Sequence, residues 1–491
     1  MEAISPGSAV YLEAIIAAQA ATIMRLEAVI QEQDKRLRER DTRIEELEAL
    51  VRNLQMRSKQ DSSTSSKPPS SDPPWIKSAR KKKPKSGKPS GGQPGHRAHA
   101  RALAPSEEVT ETVHHVPEKC RHCDELLTGD NDVADALQRH QISELPPIKI
   151  VITEHQIHAR ACTSCGKITK AKLPEHVHKS VFGPHLQAEV SHLIGNCHLS
   201  RRGAIKYAAE SWGTPISMGS IHRIEQNASQ ALEVPYNEAL EAVKAAPVRH
   251  ADETGWPQNG NRGWLWTIGC VIATVFTIAG SRAGEVFTSL MGIMVQEGYF
   301  VTDRYRGYCD VEMRRRGICH AHIKRDFAKI EAQGGIFALL GGALLFQHAR
   351  MFALWHRHKS GEMSLEELRI ALTPIKWKMY RLLKHGRRRR HKKIAGMCSD
   401  MLRHWFAFWT FTWVPGMEPT NNAAEQSLRK AVLWRKGCFG TRSTAGSLFA
   451  ERMLTVTETC RKNKRNVLEY LSTAIKAALF GNSAPQLILS A

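Results

Sequence analysis

Apolar residues recur at every seventh position near the start of the chain, at Ile16, Ile23, Ile30, Leu37, Ile44 and Val51. A companion row three residues later holds Gln19, Leu26, Gln33, Arg40, Leu47 and Leu54. Together they form an a/d heptad seam with polar interruptions in its middle. No Gly or Pro occurs between Tyr11 and Met56, and the flanking positions are charged. The pattern predicts one long helix over about residues 9–56. Such a seam packs either on its own protein or on another copy. The expectation here is the second, with residues 1–56 as a leucine-zipper-like coiled coil that makes a homo-oligomer.

Further along, alternating Ile148, Ile150 and Ile152 predict a strand within a small unit at 102–180. Residues 181–245 have helical periodicity and 246–310 read as strands. From 320 to 480 the pattern is helical again, with a basic interruption at Arg387–Lys393. The longest uncharged apolar stretch, Trp264–Gly280, is 17 residues long, rich in β-branched residues, and contains two Gly. It is read as two buried strands rather than a membrane span.

Composition narrows the function. The chain has 491 residues, 70 Lys+Arg against 48 Asp+Glu, and a formal net charge of +22. Hydrophobic residues make up 42%, enough for several folded units and too many for a wholly disordered chain. The excess charge favours a polyanion as partner, nucleic acid first. It is unevenly spread: from Arg57 to Arg101 there are 12 Lys/Arg and 2 Asp, a net +10. This Ser/Pro-rich segment, 57–101, is read as a disordered linker. Its Lys81, Lys82 and Lys83 suit sequence-independent phosphate contact. The first basic residue is Arg25, so no secretory signal is predicted. Eleven unevenly spaced Cys are read as reduced thiols and metal ligands in the cytosol, not as a disulfide scaffold.

Three constellations carry chemistry. Cys120-Arg-His-Cys123 and Cys162-Thr-Ser-Cys165 are two C-x-x-C pairs separated by 38 residues. Two such turns complete a closed tetrahedral site for structural Zn²⁺. Leu199 to Gln226 has the length and turn chemistry of a helix-turn-helix, with Ser200 and Ser217 as caps and Trp212-Gly213-Thr214 as the turn. A plain helical hairpin has the same signature. Arg201, Arg202, His222 and Arg223 are its candidate DNA contacts. Finally, Asp252 and Asp303 each end a strand-like stretch, and Glu425 lies near the start of a helix for which Thr420 is the predicted cap. Carboxylates so placed can hold two Mg²⁺ ions for phosphodiester chemistry. Spacing alone makes this weak, because 48 acidic residues supply many accidental triples.

Further motifs decide between these readings. They include Ser65-Ser66-Lys67-Pro68-Pro69-Ser70-Ser71-Asp72, Gly91-Gly-Gln-Pro-Gly-His96 and the C-x-x-C pairs. They continue with His250-Ala-Asp-Glu-Thr-Gly-Trp256, Asp303-Arg-Tyr-Arg-Gly-Tyr308, Cys319-His-Ala-His322, Arg325-Asp-Phe327 and Thr420-Asn-Asn-Ala-Ala-Glu425. In this order, and with the N-terminal zipper-like helix, they resemble the insertion-sequence-66 transposase family of bacterial mobile elements. The resemblance covers nearly the whole chain. It implies an α/β RNase H-like catalytic core with a D-D-E triad, here Asp252, Asp303 and Glu425, working with Mg²⁺ or Mn²⁺. Two departures stand out: His320 where the family usually has Trp, and Gln426 where Arg commonly follows the Glu. The 122-residue interval from Asp303 to Glu425 suggests a helical insertion, about 328–415, in a core spanning 246–450. Residues 451–491 would be C-terminal helices.

The expected protein is a multidomain DDE transposase acting on element ends and target DNA in the bacterial cytoplasm, at the nucleoid. It would have no membrane partner, and accessory proteins of the same element are implied by the resemblance. Arg325 is read as available to a phosphate, and Arg429 as orienting Glu425 or holding DNA. Cys319, His320 and His322 are read as structural or DNA-positioning rather than metal-binding. Trp405, Trp409 and Trp413, four residues apart, are read as core. The rival readings are a catalytically inactive or domesticated DNA-binding regulator and a nuclease that only cuts. No P-loop and no H-E-x-x-H occur, which leaves ATP-driven remodelling and zinc-peptidase chemistry unsupported.

Overall fold

The computed structural model of the protein describes residues 6–58, 95, 102–127, 139–174 and 177–489. Helix α1 (Pro6–Ser58) runs for 53 residues, roughly 80 Å at 1.5 Å per residue. Ile23, Leu26, Ile30, Leu37, Ile44, Leu47 and Val51 are all exposed along it. Ion pairs one turn apart, such as Arg36–Glu32 at 3.0 Å, brace its polar faces. The basic tract with Lys81, Lys82 and Lys83 lies outside the described residues.

In the small unit, β1 (Ala159–Ala161) and β2 (Ile168–Lys170) form an antiparallel hairpin with Cys162 and Cys165 in its turn. The strand predicted at Ile148–Ile152 does not form. Ile148 and Ile152 are exposed and residues 139–158 are irregular. No described segment pairs with them, and a lone strand leaves its backbone groups unsatisfied.

Four helices follow: α2 (Pro184–Gly195), α3 (Arg201–Trp212), α4 (Met218–Ala231) and α5 (Glu233–Ala245). Ser200 Oγ accepts from Gly203 N at 3.0 Å and Ser217 Oγ from Ser220 N at 3.1 Å, so both helices start at side-chain caps. Gly213, at φ +63, ends α3 in the left-handed conformation that glycine adopts most easily. Helix α4 buries Ile221, Ile224 and Ala228.

A five-stranded sheet comes next, built from β3 (Val248–Gly255), β4 (Trp264–Gly269), β5 (Thr274–Ala279), β6 (Tyr299–Thr302) and β7 (Arg316–Ile318). Its order is β5-β4-β3-β6-β7. The β5, β4 and β3 strands are antiparallel, and β6 and β7 join in parallel. Helix α6 (Gly284–Met291) links β5 to β6. Helix α7 (His320–Glu331) leaves the end of β7. Then α8 (Gly335–Lys359), α9 (Leu365–Arg387) and α10 (Lys392–Arg403) form a helical body between β7 and the last helices. Leu344, Met351, Leu368, Leu372, Met379 and Cys398 make its core. Among the described helices, α8 alone is long and apolar enough to cross a membrane. Here it buries Leu344, His348 and Met351 and packs on α7 and α9.

The tryptophan stripe is a correction. Residues 404–421 are turns and a short 3₁₀ segment, not a helix, so four-residue spacing does not align the rings. Trp409 is buried and Trp413 is exposed. Lys376 and Arg369 lie over Trp413, at 5.5 and 4.6 Å from the ring centre.

Three helices close the fold: α11 (Asn422–Cys438), α12 (Thr444–Lys462) and α13 (Val467–Leu479). The predicted boundary at 450/451 falls inside α12, which is one element because it seals the edge of the sheet. Thr274 N donates to Thr459 Oγ1 at 3.2 Å, Phe276 N to Thr455 Oγ1 at 3.0 Å, and Ile278 N to Glu451 Oε1 at 2.7 Å. Helix residues four apart advance about 6.0 Å and alternate strand residues about 6.6 Å, so three acceptors keep step with three donors. The exposed rung of an edge strand is thereby satisfied by side chains. The same helix packs on α4 and α5, and α13 packs on α2 and α4. The basic run Arg461–Arg465 is also structural. Lys462 Nζ donates to Cys270 O at 2.5 Å and Arg465 Nη1 to Leu487 O at 3.0 Å.

Burial pushes the Glu451 carboxyl up to about 7, from an ordinary value of 4.5. The folded state therefore binds its proton more tightly than the unfolded chain. Its contribution is most favourable at low pH and declines as pH rises from 4.5 toward 7. Glu451→Gln keeps an acceptor for Ile278 N and removes the charge. It should stabilise the protein at pH 8 by up to about 3 kcal/mol and have little effect at pH 4. Denaturant melts at both pH values check this; an equal effect at both rejects it.

Candidate active site

The two aspartates meet at neighbouring strand ends. The parallel register pairs Val248 with Tyr299, Arg249 with Phe300 and His250 with Val301. Continuing two residues along both strands brings Asp252 beside Asp303. Helix α11 packs across β3 and β4 with Glu425 in its first turn. Burial, then the neighbouring carboxylates of Glu253 and Asp303, hold the Asp252 carboxyl well above its usual range, and Glu425 adds to this. Asp252, Asp303 and Glu425 thus lie near enough to influence one another's charge, though their oxygens do not all lie within 4.8 Å of one another, and oxygen donors of this kind suit a hard divalent cation.

Asn421 hangs the helix on the sheet. Its Nδ2 donates to Ala251 O at 2.8 Å, its Oδ1 lies 3.2 Å from His250 Nδ1, and its backbone N donates to Cys319 Sγ at 3.2 Å. Cys319 N in turn donates to Thr302 O at 2.9 Å. One chain of bonds thus joins the residue before Asp252, the residue before Asp303 and the residue four before Glu425. Thr420 is not the cap: Asn421 holds that position, with its side chain spent on β3 instead. Its only sequence signal is a polar residue one turn ahead of an acidic one.

Beneath the aspartates lies a layer that sequence reasoning missed. Glu253, adjacent to Asp252, is buried and accepts from Arg282 Nε at 2.9 Å and from the Tyr308 hydroxyl. Burial and Asp303 push its carboxyl up against these two donors. Arg282 is stacked between Trp264 and Tyr305, at 4.8 and 3.8 Å. Arg316 is fully buried and donates to Thr302 Oγ1 at 3.0 Å, Asp303 O at 2.8 Å and Tyr305 O at 3.1 Å. Tyr305 N donates to Asp303 Oδ1 at 2.8 Å. The turn carrying Asp303 is therefore fixed from both sides. Buried arginines in a strand are rare enough to be a signal, but their partners are distant in sequence.

Residues 179–448, more than half of the chain, match the Transposase IS66 family. This chain belongs to the IS66 family of transposases. Residues 13–102 match a family of unknown function, DUF6444. An uncharacterized protein, y4hP, of Sinorhizobium fredii is similar to it at 26% identity over 343 residues. That match covers 62% of this chain and 60% of the relative, so the chain spans less than two thirds of the relative's length.

In this IS66-family chain the remaining candidate residues divide. Arg325 Nη2 lies 4.0 Å from Glu425 Oε1, and His322 Nδ1 lies 3.7 Å from the same oxygen. Arg429 is exposed one turn further along α11. His320 parts from its neighbours. It is fully buried among His348, Phe352, Phe408, Trp409 and Phe411, with Nε2 2.7 Å from Phe408 O. A flat ring fills this slot.

Arg202, His222 and Arg223 are exposed on α3 and α4. Arg201 is committed elsewhere: its Nε and Nη2 make bonds of 2.8–3.0 Å to the buried Glu225 on α4. As the tie between the two helices it is a poor candidate for base contact. The two C-x-x-C turns match each other. Cys120 N donates to Glu125 O at 2.8 Å and Cys162 N to Lys167 O at 2.9 Å, with Asp124 and Gly166 at positive φ after each pair. Backbone amides, from His122 and Cys165 foremost, lower the Cys120 and Cys162 thiols. Each turn fits half of a tetrahedral thiolate site. The four sulfurs do not converge: among the described residues one set of three ligand atoms lies within 4.8 Å, and it is Cys319, His322 and Glu425.

Proposed function

We propose that this protein is the DNA transposase of a bacterial insertion sequence. It binds the terminal inverted repeats, cleaves DNA there, and joins the freed 3′-hydroxyl to target DNA. Membership of the IS66 transposase family supports DNA as substrate. The observation that carries the chemistry is the parallel pairing of β3 and β6, which sets Asp252 beside Asp303, with Glu425 on α11 near enough to raise the Asp252 carboxyl further. Three antiparallel strands followed by two parallel ones support the RNase H-like reading of the core. Helices α8, α9 and α10 are its insertion.

In this reading Asp252, Asp303 and Glu425 are the catalytic carboxylates and hold Mg²⁺ or Mn²⁺. Divalent ions held there lower the pKa of the attacking water or 3′-hydroxyl and offset charge on the phosphate. Asn421 keeps Glu425 turned toward β3, and Arg316 keeps the Asp303 turn rigid. Arg325 offers a guanidinium to a phosphate oxygen once DNA competes for it. In cleavage, water bonds to phosphorus as the 3′ oxygen leaves. In joining, that 3′-hydroxyl bonds to a target phosphorus as one target P–O bond breaks, so no nucleotide cofactor is needed.

Arg202, His222 and Arg223 on α3 and α4 contact the repeats, and the basic tract adds salt-sensitive affinity without sequence choice. Arg429 holds the DNA backbone beside Glu425. The Cys120/Cys123 and Cys162/Cys165 turns would each supply two thiolates to one structural Zn²⁺. The work is done in the cytoplasm, at the chromosome, with accessory proteins of the element as further partners. Full-length protein, Mg²⁺ and duplexes carrying the element's own ends test the whole reading. Nicks bearing 3′-hydroxyls at the repeat ends, followed by joined products, are expected. Binding to those ends with no metal-dependent cleavage would point to the regulator instead.

The exposed apolar seam of α1 supports self-association through a coiled coil. Deleting residues 1–56 should lower the oligomer to a smaller species. An unaltered mass by light scattering rejects the zipper.

A further inference from the structure

Helix α7 brings two soft donors against one of the three carboxylates. Cys319 is the residue just before the helix and is buried; His322 follows in a C-x-x-H spacing, its amide donating to Cys319 O at 3.1 Å. Sγ, one His322 ring nitrogen and a Glu425 oxygen all lie within 4.8 Å of one another. Sγ is 4.0 Å and Nδ1 3.7 Å from Glu425 Oε1. His322 Nδ1 is buried and makes no hydrogen bond. An unpartnered buried nitrogen is costly and calls for a ligand.

The chemistry of the set is specific. A thiolate, an imidazole and a carboxylate around one tetrahedral ion stand about 3.3–3.6 Å apart, given metal–ligand lengths of about 2.0–2.3 Å. The observed separations need only small side-chain rotations to reach that. Sulfur and nitrogen donors suit zinc-class ions and disfavour Mg²⁺, which takes oxygen. Arg325 is the competitor, because its guanidinium sits 4.0 Å from the same oxygen and must turn away.

We propose that Cys319, His322 and Glu425 form a second metal site, selective for a thiophilic divalent cation such as Zn²⁺, whose filling withdraws Glu425 from Asp252 and Asp303. Zinc then switches off the magnesium-dependent reaction by taking a ligand the two sites share. This consequence rests on the reading of Glu425 as a catalytic carboxylate; the binding itself does not.

The test uses metal-stripped full-length protein and Co²⁺ as the spectroscopic probe. Because the four N-terminal cysteines also take Co²⁺, the readout is the difference between proteins. Wild type should bind one equivalent more than Cys319→Ser and than His322→Ala, with circular dichroism confirming that both fold. Equal uptake in all three overturns the site, and so does a loss in only one variant, since chelation needs both donors. Zn²⁺ at one equivalent above the N-terminal set should lower Mg²⁺-dependent cleavage roughly tenfold or more in wild type and not in Cys319→Ser. Altered uptake with zinc-insensitive cleavage overturns the withdrawal of Glu425. Should the protein cleave no DNA at all, cobalt uptake still decides the metal site, so the two readings fail separately.

Discussion

Asp303→Asn should leave end binding intact and lower Mg²⁺-dependent cleavage by roughly three orders of magnitude or more. Asparagine is the same size, and its Oδ1 still accepts from Tyr305 N, as Asp303 Oδ1 does at 2.8 Å. Arg316 still donates to the residue 303 carbonyl, now at 2.8 Å. The turn after β6 therefore survives, and what disappears is one negative charge facing Asp252. The measurement is the single-turnover nicking rate on end DNA beside a binding titration of the same duplex. Cleavage within a few-fold of wild type would remove Asp303 from the site.

Asn421→Ala should slow cleavage by about 10–100-fold, the range found when a residue that orients a metal ligand is removed. The side chain makes two contacts with β3, at Ala251 O and His250 Nδ1, and no water-exposed group replaces them, because Asn421 is 1% exposed. Without it the first turn of α11 keeps only its backbone bond to Cys319 Sγ. Glu425 then loses its fixed approach to the aspartates. The rate should recover in part as Mg²⁺ is raised, because a looser ligand binds more weakly but still binds. A merely structural role predicts a lower melting temperature with an unchanged Mg²⁺ dependence.

The proposed zinc-responsive site and the proposed catalytic carboxylates share Glu425, which would couple two chemistries through one helix turn. The same turn explains why Asn421 matters. Its backbone touches Cys319 while its side chain touches β3, so α7, α11 and the sheet meet at one residue.

Local signals in the sequence reached far. The heptad seam, the Ser200 and Ser217 caps and the Gly213 stop all lie within a turn or two of what they organise, and the structure forms each of these helices. The paired strands at Trp264–Gly269 and Thr274–Ala279 follow from β-branched runs. Where the signal needed a distant partner, it failed. Ile148–Ile152 has strand alternation but no partner among the described residues. The tryptophans at 405, 409 and 413 have helical spacing without a helix, because the segment is held by tertiary bonds such as Ile318 N to Ala407 O at 3.0 Å. Arg201 looks like a DNA contact until Glu225, 24 residues away, claims it.

The sequence by itself determined the long N-terminal helix, the capped helix pair, the strand-rich middle, the basic tract and, through its motifs, the family. Each depends on neighbours in the chain or on residue identity alone. Only the tertiary structure decided which groups meet. Parallel pairing of β3 with β6 brought together aspartates 51 residues apart, and Asn421 brought in Glu425 from a further 122. It also separated His320 from Cys319 and His322, sending one into an aromatic core and the others to Glu425. The reason is that contacts across more than a hundred residues are set by packing and by the need to satisfy every buried donor and acceptor. No local pattern encodes either of these.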